Sequence, residues 1–235
     1  MASGQGWYVF GVTGSDVTVP AGLDATPLAA AVEGLAAASI QAIVSRVAVD
    51  DLVGELPQDP TWLVPRVEAH DRVLIDIAAL LPVVPFRFGV VHSSEERLVA
   101  SLADRADRLK AALAQVGGCQ EWTVVVEAGD GAAPSEAPPA AGPGRSYLLA
   151  RHAALSARER VERAVAGIRQ SCDAWEVPTA LLPASPDDAE RLACLVRRDR
   201  ADDVRTQLES VAAGDVHVTV RGPLPPYHFV GHDMR

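Results

Sequence analysis

His70 and Asp71 are the residues of this sequence best suited to acid–base chemistry. An imidazole titrates near neutral pH, so it can serve as a general base or as a metal ligand. His70 lies, however, within the apolar side of a predicted helix, and no second His or Cys follows at metal-ligand spacing. We therefore interpret His70 as a structural core histidine. The sequence predicts no metal site and no cofactor site.

Charged clusters elsewhere are better explained by solvation than by catalysis. Arg197, Arg198 and Arg200 could bind an anion, but the neighbouring Asp199 and Asp202 favour a solvated strand end. Nucleophile-elbow, P-loop, HExxH and CxxC motifs are absent from the sequence. The residues alone therefore indicate a protein without a visible active site.

Composition excludes several classes of protein. Of the 235 residues 49% are hydrophobic, which is enough for one large core or two modest ones. The net charge of −10 argues against nucleic acid as a partner. No apolar run approaches the roughly 20 residues that cross a membrane, and the N-terminus does not resemble a signal peptide. Cys119, Cys172 and Cys194 are odd in number and far apart in sequence, so we expect reduced thiols in a cytoplasmic protein.

The central stretch, residues 61–89, combines a helix and a strand. Thr61 is a plausible helix N-cap, and Pro82 ends the helix because proline has no N–H to donate. One apolar side is predicted, at alternating steps of three and four: Leu63, Val67, His70, Leu74, Ile77 and Leu81. The period then changes to two, which places Val84, Phe86, Phe88 and Val90 on one face of a strand. Pro85 predicts an edge or a start of that strand.

The remaining pattern predicts an α+β protein of two small ferredoxin-like α/β sandwich domains, with helices on one face of each sheet. Strands are predicted at 7–12, where both faces are apolar, and at 41–48 and 121–127, with a helix from Ser93 to residue 116. Residues 129–145, rich in Pro, Gly and Ala, predict a flexible linker. The domains are therefore expected at 1–128 and 146–235. The second domain has the same kind of pattern, with short strands and another helix after its first helix. The apolar side of that first helix is predicted at Val161, Val165, Ile168, Cys172 and Trp175.

The C-terminal segment has aromatic side chains that its own domain cannot easily bury. Pro225 and Pro226 predict an extended chain, and Tyr227 and Phe229 follow them. We expect this tail to clasp the N-terminal domain near Pro85.

Several stretches together resemble the GvpL/GvpF family of gas vesicle proteins. They are WYVFGV at 7–12, VEGLAAASIQAIVSRV at 32–47, EAHDRVL at 68–74, VVPFRFGVVHSSEERL at 83–98, EWTVVV at 121–126 and RGPLPPYHFV at 221–230. The family usually has Glu where this chain has Asp71. The resemblance implies two ferredoxin-like domains without catalysis, and a short strand at about 30–33 that returns as a hairpin into 41–48.

The resemblance implies an accessory or minor structural role in gas vesicle formation. The implied partners are the hydrophobic shell protein GvpA and other accessory proteins, and the implied location is the cytoplasm and the gas vesicle. The alternative function is a ligand-binding regulatory two-domain module. The third possibility is an enzyme with His70 and Asp71 as its candidate residues. The candidates for structural, interdomain or partner-binding roles are His70, Pro85, Phe86, Arg87, Phe88, Gly89, Pro225, Pro226, Tyr227 and Phe229.

Overall fold

The computed structural model describes residues 4–48, 52, 59–129, 143–183, 189–210 and 216–231. It confirms the α+β class, with two antiparallel sheets. The chain forms two compact units, one of Met1–Gln120 with Pro223–Arg235 and the other of Glu121–Gly222. These limits differ from the predicted domains at both ends of the second unit.

The first sheet is built around a strand that is buried on both faces. Its strands are β1 (Gln5–Gly14), β2 (Glu33–Ala37), β3 (Ile40–Ala48), β4 (Val84–Pro85) and β5 (Val91–His92). The order is β2-β3-β1-β4, and β5 also pairs with β1. Trp7 and Val9 belong to one core cluster, whereas Tyr8 and Phe10 belong to another. The predicted central strand at 7–12 is thus confirmed.

Helices cover both faces of this sheet, whereas the sequence predicted them on one. The helix α1 (Pro60–Leu80) packs in the cluster of Tyr8 and Phe10, and α2 (Glu95–Ala103) and α3 (Ala106–Val116) pack in the cluster of Trp7 and Val9. The physical reason is β1 itself, because a strand with two apolar faces needs cover on each side.

Three boundaries in the first unit differ from the prediction. The hairpin into β3 exists, but its first strand is at 33–37 and not at 30–33. The N-cap of α1 is Asp59, which accepts a hydrogen bond from the Thr61 N–H at 2.9 Å. The single helix predicted from Ser93 begins after Ser94 and divides at Arg105, whose side chain turns back to the Ser101 carbonyl at 3.1 Å.

The second unit has its own sheet, helices and core. Its strands are β6 (Cys119–Ala128), β7 (Thr179–Leu181), β8 (Glu190–Arg197) and β9 (Val216–Leu224), in the order β7-β8-β6-β9. The helices are α4 (Pro143–Ala174) and α5 (Ala201–Ser210). Trp122 and Val124 of β6 pack in one cluster with Ile168 of α4, so β6 belongs here and not to the N-terminal domain. The predicted helix side from Val161 to Trp175 packs in the same cluster.

The predicted linker and the cysteines can also be compared with the structure of this unit. Of the predicted linker, residues 130–142 lie outside the described part of the chain, and α4 already begins at Pro143. Cys172 and Cys194, which are far apart in sequence, are neighbours in the core, with their Sγ atoms 4.0 Å apart as free thiols. Both side chains are buried in the core.

Candidate functional site

His70 lies at the centre of the first unit and joins three segments of the chain. Helix α1 carries its ring toward β1, and only 2% of the residue is exposed. The Tyr8 hydroxyl lies 2.8 Å from Nδ1, and the Phe86 carbonyl oxygen lies 3.1 Å from Nε2. A carbonyl can only accept, so Nε2 carries the hydrogen and donates to Phe86. Nδ1 therefore accepts from Tyr8, and the ring is a neutral imidazole with both nitrogens bonded.

The hydrogen bonds extend beyond the imidazole. The Gly89 N–H donates to the Tyr8 oxygen at 3.2 Å, so the phenol accepts from one segment and donates to another. Phe10 stacks on the His70 ring at 5.5 Å between centroids, and Phe88 meets that ring edge-on at 5.9 Å. Such a satisfied buried network fixes one arrangement of the segments that contribute to it.

Burial sets the protonation of both titratable groups. Desolvation lowers the pKa of His70, and the bond to the Phe86 carbonyl only partly opposes this effect. Desolvation also raises the pKa of Tyr8 above its ordinary value, against the opposing bond from Gly89. Both groups therefore stay neutral at physiological pH. An enclosed neutral pair with its hydrogen bonds already made can hold the fold together, but it offers a substrate no open atom.

The PFRFG segment, residues 85–89, is mainly part of the core. Pro85 pairs with Gly11 at the end of the sheet order, where the sequence placed it. Phe86 is buried, and Arg87 is exposed. The predicted strand from Val84 to Val90 ends at Pro85, and the chain turns at Phe88 and Gly89, where Gly89 adopts a φ of 90°. Because strand alternation does not continue past Pro85, Phe88 packs in the other cluster from Phe86, which corrects the prediction that they share a face.

The tail returns to the first unit, as expected. The Tyr227 hydroxyl donates to Oδ1 of Asp71 at 2.7 Å, and Tyr227 packs in the cluster that contains Tyr8. Phe229 and the buried Val230 pack in the opposite cluster. Pro225 and Pro226 are buried and form turns, since their carbonyls accept from the N–H groups of Tyr227 and Phe229 at 2.7 and 3.3 Å. The prediction that this segment is extended is therefore wrong beyond β9.

His70 and Asp71 are adjacent but serve different partners. His70 faces Tyr8 and Phe86, whereas the Asp71 carboxylate bonds Tyr227. Sequence reasoning missed Tyr8 and the role of Asp71. Tyr8 could have been noticed because its hydroxyl lies within an otherwise apolar strand. A buried phenol usually requires a hydrogen-bond partner, so a partner in the core could have been predicted.

The described residues contain no cluster of three or more His, Cys, Asp or Glu side chains placed to hold a metal ion. In the same residues, no helix has the length and apolar character needed to cross a membrane. A groove of about 570 Å³ lies in the second unit, beside residues 151–162 of α4. Its lining combines apolar and charged side chains: Ala128, Arg151, Ala154, Leu155, Ala157, Arg158, Val161, Glu162, Ala189 and Glu190.

Comparison with known proteins agrees with this architecture. Gas vesicle protein L of Streptomyces sp. (strain CB03234) is 30% identical over 191 residues, covering 74% of this chain and 72% of the relative. Gas vesicle protein F of the same strain is 26% identical over 197 residues, covering 76% of this chain and 83% of that relative.

Crystal structures show the same fold at low sequence identity. GvpF from Anabaena sp. PCC7120 superposes with a TM-score of 0.73 at 14% identity, over 97% of this chain and 98% of that one. GvpF from Microcystis aeruginosa superposes with a TM-score of 0.71 at 14% identity, over 96% of this chain and 99% of that one. The family model described as gas vesicle synthesis protein GvpL/GvpF matches residues 6–231. The chain therefore belongs to the GvpL/GvpF family of gas vesicle synthesis proteins.

Proposed function

We propose that this protein is a non-enzymatic assembly factor or minor structural component of gas vesicles, which binds the hydrophobic shell protein GvpA and helps to nucleate or chaperone vesicle formation. The observation that carries the proposal is the family match across residues 6–231. The enclosed His70 network supports it, because the side chains best suited to acid–base chemistry are already used in holding the fold.

The physical argument concerns exposed strand edges. A shell subunit before assembly presents apolar surface and unpaired strands, which aggregate. The second sheet of this protein ends in β9, Val216–Leu224, and the first sheet ends on one side in β2, Glu33–Ala37. An extended segment can add to such an edge through main-chain hydrogen bonds. The nine-residue β9 offers the longer of these two edges.

The net charge of −10 supports a role in keeping such complexes dispersed. We place the protein in the cytoplasm and at the gas vesicle, with GvpA and other gas vesicle accessory proteins as partners. Nucleic acid and membrane are not among the partners in this proposal.

The test is co-expression with GvpA, followed by affinity capture and size-exclusion chromatography. We expect GvpA to elute in a defined complex with this protein and to sediment as aggregate without it. Thr219→Lys, in β9, should weaken the complex because a charge on an edge strand discourages strand addition. Gln207→Lys, an exposed site on α5, is the matched control. GvpA that aggregates equally in both cultures would contradict the proposal.

A ligand-binding regulatory module is the second candidate function, and the groove beside α4 favours it. Its volume of about 570 Å³ lies in the range of small-molecule sites, roughly 300–1,000 Å³. Native mass spectrometry of the protein purified from its host separates the two candidates. We expect the mass of the bare chain, whereas one small molecule per chain would favour the ligand-binding module.

A further inference from the structure

The first turns of α4 form a helix that nothing in the described part of the chain covers. Every side chain from residue 144 to residue 155 is exposed, whereas the helix is buried on one side from Val161 onward. We call residues 144–155 the α4 arm. Its large apolar side chains are Tyr147, Leu148, Leu149 and Leu155, which are 62%, 64%, 49% and 54% exposed. Exposed large apolar side chains concentrated in one short segment indicate an interaction site.

The charge of this stretch has one sign. Arg145, Arg151 and Arg158 lie between positions 143 and 158, and no Asp or Glu does. This contrasts with the net charge of −10 for the chain. Arg151 donates to the Tyr147 hydroxyl at 3.3 Å, and Arg158 pairs with Glu162 at 2.9 Å. The arm therefore presents apolar and cationic groups together.

The α4 arm leads directly into the groove of about 570 Å³. Leu148, Arg151, Leu155 and Arg158 follow one another at steps of three and four, so they lie on one side of the helix. The last three of them line the groove, as does Ala189. The small side chains of the groove leave room for apolar groups of a partner, and Arg151 and Arg158 line that space together with Glu162 and Glu190, of which Glu162 pairs with Arg158.

We propose that the α4 arm and this groove dock an amphipathic helix of a partner protein, with apolar side chains on one face and carboxylates beside them. A helix fits because apolar anchors spaced by three and four residues match the stripe of the arm. Carboxylates fit because the arm itself carries Arg145 and Arg151 and contains no Asp or Glu. The inference goes beyond the proposed function, since it names a surface and a partner chemistry that do not depend on GvpA.

Two other occupants fit less well. In a symmetric contact between two copies of this chain, the same patch meets itself, which would bring the basic arms together with like charges. A lipid surface attracts basic apolar helices, but it cannot fill a concave groove as a helix ridge can.

The test uses two synthetic peptides of roughly 18 residues, or five helical turns. One carries Leu on one face and Glu on the other, and the second has Lys in place of every Glu. Fluorescence anisotropy with the full-length protein should show at least about tenfold tighter binding of the Glu peptide at low salt. Added salt should reduce this preference because it screens exposed charges.

Variants locate the binding surface. Leu148→Gln with Leu149→Gln, which keeps good helix formers, should weaken Glu-peptide binding by about tenfold. Arg145→Glu with Arg151→Glu should reverse the preference toward the Lys peptide. Arg169→Glu, exposed on the later part of the same helix, is the matched control and should bind as the parent does. Circular dichroism checks that each variant keeps its helix content.

Three results would overturn the inference. The first is equal affinity for the two peptides, or a preference that Arg145→Glu with Arg151→Glu leaves unchanged. The second is self-association in sedimentation that the leucine substitutions abolish. The third is binding to vesicles of equal phosphatidylcholine and phosphatidylserine that the peptide does not displace.

Discussion

The phenol of Tyr227 donates a hydrogen bond of 2.7 Å to the carboxylate of Asp71, although 156 positions separate the two residues. The bond fastens the tail to α1 one residue away from His70. Because Tyr227 and Phe88 both pack in the cluster of Tyr8, the tail shares one core with the PFRFG segment.

This bond predicts a measurable stability difference. Tyr227→Phe should lower the free energy of unfolding by about 1–2 kcal/mol, since a hydrogen bond to a charged acceptor is lost. Tyr147→Phe on the α4 arm is the matched control and should stay within about 0.5 kcal/mol. Chemical denaturation measures both. A double-mutant cycle with Asp71→Ala should show coupling, and purely additive effects would argue against the bond.

His70 should be structural. His70→Ala should lower the free energy of unfolding by about 1–3 kcal/mol, because Tyr8 and Phe86 lose their partner inside the core. His152→Ala, at an exposed position, should have little effect. A His70 variant of parental stability that no longer binds its partner would instead make His70 a site residue.

The same residue predicts a pH dependence. Burial lowers the folded-state pKa of His70 below that of the unfolded chain, so in acid the unfolded state takes up the proton first. Stability should therefore fall as the pH drops below about 6.5, the ordinary pKa of histidine. This part of the slope should be missing in His70→Ala when both proteins are unfolded with urea between pH 7.5 and 5. Identical slopes would show that His70 takes up its proton equally in both states.

Substitution of alanine for glycine should have opposite effects on stability at Gly11 and Gly167. A Cβ on Gly11 would lie 2.6 Å from the Val84 carbonyl oxygen and 3.2 Å from the Pro85 Cα, both backbone atoms. Gly11→Ala should therefore separate β4 from β1 and destabilise the protein by about 2 kcal/mol or more. Gly167 lies within α4 with no atom within 4 Å of such a Cβ. Gly167→Ala should stabilise it by roughly 0.5–1 kcal/mol. Thermal unfolding of both variants tests the pair.

Limited proteolysis should cut first within residues 129–145, whose composition is typical of a linker. The two fragments should then remain associated under native conditions. The N-terminal fragment keeps β6, which belongs to the second sheet, and the C-terminal fragment keeps the tail, which packs in the first unit. Size-exclusion chromatography of the cut protein should show one species. Separation of the fragments without denaturant, or initial cleavage within 61–89, would contradict this prediction.

Helices and strands could be predicted from the sequence better than the residues and strands with which they pair in the fold. Alternation and helical periodicity are local properties, so β1, α1 and the apolar side of α4 could be identified from neighbouring residues. The bond between His70 and Tyr8 joins positions 62 apart, and no local pattern specifies it. For the same reason, the alternation of Trp122 and Val124 identified a strand but not the sheet in which it pairs.

Backbone conformation explains the errors at Phe88 and in the tail. Alternation assumes an uninterrupted strand, but β4 ends at Pro85, so the alternating pattern does not determine the side of Phe88. Pro225 and Pro226 fix their own φ angles but not the turns that follow. The sequence singled out His70 and the PFRFG segment, whereas the partners of His70 could be identified only in the three-dimensional structure.

The return of the tail has a consequence for biosynthesis. The first unit emerges from the ribosome early, and N-terminal domains can begin to fold there. Its core nevertheless includes Val230, which is only 2% exposed, belongs to the same cluster as Trp7 and is translated only after the whole second unit. A nascent chain or a product of premature termination therefore has an open N-terminal core that chaperones and proteases can recognise. Translation of the tail, after the second unit, closes the first domain to be made.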